Sequence, residues 1–242
     1  MRRTSPMKIV FLMSDNAHTA GRHELLNHHP DEYEAILGPT LVELQQPAYR
    51  ARQIAGWVHD RFAAGFNAMT DLPADLRTLL DERFSVSPLE MAFQARSRDG
   101  TVKHLWRLRD GEQVESVLIP QRERVTLCLS SQAGCALACR FCATGDFGFR
   151  RQLSAAEIVA QFRDAELVSR HVFGRGIANV VYMGMGEPMA NLDAVLASLS
   201  ILHGGFGFGA RRITVSTVGL VPGIQALAAR PEPFRLAVSL HA

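Results

Sequence analysis

The stretch Val125-Thr126-Leu127-Cys128-Leu129-Ser130-Ser131-Gln132-Ala133-Gly134-Cys135-Ala136-Leu137-Ala138-Cys139-Arg140-Phe141-Cys142 decides the reading of this chain. Val125–Ser131 has the apolar and β-branched character of a strand, and a cysteine loop follows directly. In that loop Cys135-x-x-x-Cys139-x-x-Cys142 presents three thiols. Thiolates are the usual ligands of iron–sulfur clusters, and this spacing lets one loop hold three corners of a 4Fe–4S cube. The fourth iron is then open to a small molecule. Structural zinc sites close with four ligands instead, and Cys128 offers a fourth, so a four-cysteine zinc module stays open as an alternative. Phe141 adds an aromatic ring able to pack on a cofactor. The chain has only four cysteines, all within this stretch, whereas a disulfide framework would scatter them.

Downstream, strand and helix signals alternate. Ile177–Met183, Ile213–Thr217 and Leu236–Leu240 read as strands. Ser154-Ala155-Ala156-Glu157 is a capping box that opens a helix through Ile158, Phe162 and Ala165. Asn191 is placed to cap a second helix bearing Val195, Leu199 and Leu202, with Gly204 as its end, and a third runs near Gly223–Ala229. Such alternation implies parallel strands with right-handed crossovers. Gly184-Met185-Gly186-Glu187-Pro188 leaves the second of these strands; its glycines let backbone approach a ligand, and Glu187 can accept from an ammonium. Ser216 ends the third strand, and Ser239 and His241 the fourth, so four strand exits put polar or metal-binding groups on one rim. The run Gly204–Gly209 enters a strand from a helix, the reverse of a dinucleotide loop, and reads as a flexible connection on the opposite rim. Four strands do not close a barrel, which suggests a fragment of a longer one or a covered edge.

Upstream the period changes. Asp99–Gly100 and Asp110–Gly111 are hairpin signals around Val102–Arg109, and a β-meander continues through Val114–Pro120. Residues 20–85 read as helical: Pro47 opens a helix with Ala51, Ile54, Ala55, Val58 and Phe62 on one face, and a second starts near Asp71–Leu72–Pro73 with Leu76, Leu79 and Leu80. The expected organisation is a helical accessory domain over 1–88, a β-meander extension over 89–124 and an incomplete α/β barrel over 125–242.

The 242 residues carry a net charge of +2, too little to argue for nucleic acid alone. The distribution says more: 14 Lys/Arg against 16 Asp/Glu in residues 1–120, but 12 against 8 in 121–242. An excess of four cations suits an anionic partner, Arg122, Arg124, Arg150, Arg151, Arg211 and Arg212 being candidates for phosphates, although a solvated face explains them as well. The apolar run Ile9–Met13 is too short for a secretory signal, and no stretch approaches a membrane span, so a cytoplasmic protein with no membrane contact is expected.

The cysteine spacing, Phe141 and the preceding strand resemble the radical S-adenosylmethionine (SAM) signature. The resemblance narrows through Val114–Pro120, Leu127–Cys135, Gly184–Pro188, Arg211–Gly219 and Ser239–Ala242 to the RlmN family of 23S rRNA/tRNA adenine C2-methyltransferases. Tyr49–Ile54 and Met69–Pro73 extend it into the helical part. It implies a partial radical SAM (β/α) barrel, with Cys135, Cys139 and Cys142 on the 4Fe–4S cluster. Gly186, Glu187, Ser216, Ser239, Leu240 and His241 would contact SAM. Glu115 would remove the adenine C2 proton, and Cys128 would resolve a covalent RNA adduct. On residue type alone, Glu115 is an ordinary solvated carboxylate and Cys128 an inert buried thiol. Partners implied are 23S rRNA, tRNA and an electron donor such as flavodoxin, acting on a monomer. The related C8-methylating enzymes of the Cfr type share these motifs. The family also uses a methyl-carrying cysteine near its C-terminus; no cysteine follows Cys142 here, so these residues alone would bind cluster and SAM without turnover.

Overall fold

The computed structural model describes residues 21–240 except Ala138 and Phe141; the N-terminal run, His241 and Ala242 lie outside the described residues. The chain opens with β1 (His23–Glu24), α1 (Tyr33–Glu43), α2 (Tyr49–His59), α3 (Ala74–Arg83) and β2 (Phe84–Ser85), the two short strands pairing in parallel. Ala51, Ile54, Ala55 and Val58 of α2 are buried at helical spacing, as are Leu76 and Leu80 of α3. Phe62 does not continue the α2 face: it lies past the helix end at φ 58°.

Four antiparallel strands follow, β3 (Leu89–Arg96), β4 (Val102–Leu108), β5 (Gln113–Gln121) and β6 (Arg124–Cys128), the first two turns being those expected at Asp99–Gly100 and Asp110–Gly111. β6 ends three residues before the expected Ser131. The chain then makes a short hairpin of β7 (Gln132–Gly134) and β8 (Phe149–Gln152), between which the cysteine loop and a single turn of helix, α4 (Ala143–Asp146), are held. The remainder alternates: α5 (Ala155–Phe173), β9 (Asn179–Tyr182), α6 (Leu192–Ser200), β10 (Ile213–Thr217), α7 (Val221–Ala228) and β11 (Arg235–Val238).

The meander and the parallel strands form one seven-stranded sheet in the order β11-β10-β9-β6-β5-β4-β3. β6 is the seam, antiparallel to β5 and parallel to β9. Side-chain alternation then sorts the residues. Val102, Leu118, Leu127, Val180 and Ile213 are cross-strand partners in one fully buried row on the core face, beneath α5 and α6. The adjacent row, Lys103, Val117, Cys128, Val181 and Thr214, faces the other way and is only partly covered.

α5 starts with the expected capping box: Ser154 Oγ accepts from Glu157 N at 3.2 Å, and Glu157 Oε2 accepts from Ser154 N at 2.9 Å. Asn191 sits at the N-terminus of α6 but does not cap it. Its amide donates instead to the carbonyls of Ser131 and Leu153, at 2.8 and 2.7 Å, bridging two buried acceptors of which Ser131 O also accepts from Leu153 N at 3.2 Å. Gly204 does not end that helix either; a π-turn carries it through Ile201–Gly205.

The run Gly204–Gly209 is a docking surface rather than a loose connection. A Cβ on Gly204 would lie 2.3 Å from His29 Nε2, and one on Gly205 3.0 Å from His59. Phe206 packs on His59, Phe62 and Phe162, with ring centroids 4.6, 5.6 and 5.5 Å away. The N-terminal helices are further tied to α5 by Asn27, which accepts from Ala156 N at 2.8 Å, and by buried Arg163, which donates to the Val86 carbonyl and to Ser87 Oγ. Among the described residues no helix is long and apolar enough to cross a membrane.

Candidate active site

The partly covered sheet face collects the residues singled out from sequence. Glu115 on β5, Cys128 on β6 and Ser216 on β10 all project from it, since Val117 pairs with Cys128, Cys128 with Val181, and Val181 with Thr214. Ser239, just past β11, lies on this face, with its hydroxyl 3.2 Å from Ser216 Oγ. Cys128, Ser216 and Ser239 stand at the carboxyl ends of their strands, the rim where ligands bind in βα folds. Leu240 is 86% exposed, and His241 lies outside the described residues.

The cysteine loop hangs over this rim between fixed ends. Gly134 adopts φ 76°, and a Cβ there would fall 1.8 Å from the Gly148 carbonyl oxygen, so only glycine permits the hairpin crossing. Cys135 N donates to that same oxygen at 3.0 Å, and Cys142 N to the Cys139 carbonyl at 3.0 Å. Cys135, Cys139 and Cys142 are half-buried free thiols. The described residues hold no ready-made group of three or more metal donors. What the loop offers is the donor chemistry: three soft thiol ligands on one pinned segment, which suits an iron–sulfur cluster.

Glu115 and the loop share a cavity of about 400 Å³, lined also by Gly134, Thr144, Arg150 and Met185. The Glu115 carboxylate accepts from Lys103 Nζ at 2.9 Å. Lys103 was not singled out from sequence; the register set by Asp110–Gly111 is the signal that brings it beside Glu115. Cys128 is different in kind. Burial pushes its thiol up to about 11, against a smaller opposing effect of a backbone hydrogen bond from Met183.

The Gly184–Pro188 segment is laced to the strand exit of β6. Gly184 N donates to the Leu129 carbonyl, and Ser131 N and Gln132 N both donate to the Met185 carbonyl. Its glycines serve the protein's own packing: a Cβ on Gly184 would meet the Leu129 carbonyl oxygen at 2.6 Å, and one on Gly186, at φ 95°, the Gln132 side chain at 2.4 Å. Glu187 is buried, and its two carboxylate oxygens accept from Met189 N and Val218 N at 3.0 and 2.9 Å, joining the exits of β9 and β10. Ser130, Gln132 and Gln161 were also not legible in the sequence. Gln161 Oε1 accepts from Ser130 N and its Nε2 donates to Ser130 O, both at 3.0 Å, from the middle of α5. Of the arginines considered for phosphates, Arg151 is engaged within the fold, by a bidentate pair with Glu157 at 2.8 Å and by Asp110.

Residues 33–86 match the ribosomal RNA large subunit methyltransferase N-terminal domain, and residues 129–242 the radical SAM superfamily. The chain is 48% identical over 221 residues to a probable dual-specificity RNA methyltransferase RlmN of Gemmatimonas aurantiaca, covering 90% of this chain and 61% of that protein. It is 53% identical over 196 residues to the dual-specificity RNA methyltransferase RlmN of Geobacter sulfurreducens, covering 80% and 52%. The crystal structure of a radical SAM methyltransferase from Sphaerobacter thermophilus superposes with a TM-score of 0.85 at 45% identity, covering 91% of this chain and 64% of that one. The chain thus spans between half and two thirds of the length of these relatives. Residues 33–86 thus belong to an RlmN-type N-terminal domain and residues 129–242 to a radical SAM domain, from which a cofactor requirement of 4Fe–4S and SAM follows, and across both the chain is similar to RlmN-type RNA methyltransferases.

Proposed function

We propose that the protein methylates C2 of adenosine in 23S rRNA and tRNA. The observation that carries this reading is the cavity that Glu115 shares with the cysteine loop, on the sheet face that also bears Cys128. Cys135, Cys139 and Cys142 would hold a 4Fe–4S cluster, which together with SAM would supply radical chemistry. The chain's own residues do the rest. Glu115, steadied by Lys103, takes the proton from adenine C2. Cys128 is the second thiol; kept protonated by its burial, it needs a base or the adduct itself to release its proton. Gly186, Glu187, Ser216, Ser239, Leu240 and His241 are the residues that would hold SAM, and Glu187 also braces two strand exits. The adenine leaves its stack to reach this face, as a base must for chemistry on a ring carbon. An electron donor such as flavodoxin and a monomeric state complete the reading.

The test is anaerobic incubation of the reconstituted protein, extended to include the family's methyl-carrying cysteine, with SAM, reductant and unmodified rRNA, followed by mass spectrometry of the digested RNA. Methyl on adenine C2, lost in E115Q, is expected. Methyl on C8, or colourless protein holding zinc, overturns the proposal.

A further inference from the structure

The sheet has a second rim, at the amino ends of the parallel strands, and it is lined by arginine. Arg124 opens β6, Arg211 and Arg212 immediately precede β10, and Arg235 opens β11. Together with Ala178 and Asn179 at the start of β9, these four line one hollow of about 320 Å³. Arg122 and Arg124 border a neighbouring hollow of about 510 Å³ with Gln121 and Glu123. All five arginines are exposed, and among the described residues none of their guanidinium groups has a hydrogen-bond or ion-pair partner. The two carboxylates closest in sequence are taken by other residues: Glu123 by Arg175 at 3.0 Å, and Glu232 by Arg230 at 2.6 Å. Gathering like charges without counter-charge costs free energy in the isolated fold, and an anion offsets it.

We infer that Arg122, Arg124, Arg211, Arg212 and Arg235 form a second RNA contact, gripping backbone phosphates on the rim opposite the cysteine loop. The row crosses four strands, about 14 Å at the spacing of neighbouring strands, which suits an extended polyanion better than a single small anion. Guanidinium groups bind phosphate oxygens in a fork, without reading bases. The inference rests on the RNA substrate proposed above and adds to it a site that holds a remote part of that RNA while the target adenine is at the other rim.

The test is fluorescence anisotropy of a short labelled RNA hairpin against the full chain over a range of salt. The comparison is R124Q/R211Q/R212Q/R235Q against R52Q/R83Q, exposed arginines of α2 and α3. The fourfold variant is expected to bind at least tenfold more weakly at low salt, with a log K–log salt slope shallower by about 3, since each phosphate contact contributes about 0.7–0.9. The control pair should bind like the parent, and thermal melts should match throughout. Unchanged affinity and slope in the fourfold variant overturns this inference while RNA remains the substrate. A parent chain that binds no RNA overturns both this and the proposed function. Competition by inorganic phosphate or by polyglutamate as effective as that by RNA assigns the rim to a small anion or an acidic protein, and overturns it as well.

Discussion

The hydroxyl of Ser130 donates to the backbone carbonyl of Glu115 at 2.6 Å. The same oxygen accepts from Met185 N at 2.9 Å, so one side chain bolts the strand of Glu115 to the Gly184–Pro188 segment. S130A removes both bonds and leaves two partly buried backbone groups without that partner, at about 1–2 kcal/mol. A melting temperature lower by about 3–10 °C is expected from thermal unfolding; a change under 1 °C would show that the bolt is idle.

Gly134 is the tightest point of the cysteine loop. G134A adds a Cβ at 1.8 Å from a backbone oxygen and forces a side chain to φ 76°. Backbone cannot yield as a side-chain tip can, so the β7–β8 hairpin should open while the seven-stranded sheet persists. The expected result is near-parental far-ultraviolet circular dichroism with iron retention after reconstitution reduced severalfold.

Glu187 tests whether a carboxylate is needed between the strand exits. E187Q keeps one acceptor but turns an amide toward the second N–H, replacing a hydrogen bond by a donor–donor contact. A loss of about 1–3 kcal/mol in urea unfolding is expected. A variant as stable as the parent would free Glu187 from the bracing role assigned to it.

Much of this was legible before the structure, and the pattern of success is physical. The Ser154–Glu157 box and the Asp–Gly turns are short-range chemistry, and they formed where expected. Asn191 and Gly204 carry equally local signals, yet tertiary partners outbid them: the carbonyls of Ser131 and Leu153 recruit Asn191, and His29 packs against the bare face of Gly204. Lys103 beside Glu115, and the fusion of the meander to the parallel strands, depend on register between strands, which no single segment states. The glycines of Gly184–Pro188 have a second reason that the motif alone does not state: they pass close to Leu129 and Gln132, and a strand exit that crosses another backbone needs the absence of Cβ.

His59 makes stability depend on acid. Burial, with the nearby charges of His29 and Arg163, lowers its pKa to about 3, and its ring is hydrogen-bonded to the buried Tyr33 hydroxyl at 3.2 Å. The folded chain keeps this ring neutral while the unfolded chain protonates it below about 6.5, so the contribution is complete above that pH and is lost as pH falls toward 3. Unfolding free energy should drop by about 1.4 kcal/mol per pH unit from this group between pH 6 and 4. In urea titrations, H59Q should flatten that slope.

Cys128 should resist alkylation. A thiol pushed up to about 11 is thiolate in only about one molecule in a thousand at pH 8. Peptide mapping after a brief iodoacetamide pulse on metal-free protein should find Cys135, Cys139 and Cys142 modified first, with Cys128 labelled appreciably only as pH rises. Equal labelling of all four would contradict the burial that sets its proton.

The seam at β6 has a bearing on how the molecule assembles. Its antiparallel side closes over turns of a few residues, whereas Thr126 must await Asn179, fifty-three positions later in synthesis. Closure entropy favours the nearer pairing, so the hairpins zip first and leave one edge of β6 bare. That edge is then the mould on which β9, β10 and β11 are cast in turn, each copying its alignment from the last. Glu115 belongs to the mould and Ser216 to the castings, so an error of one step at β6 would turn every later side chain to the wrong side.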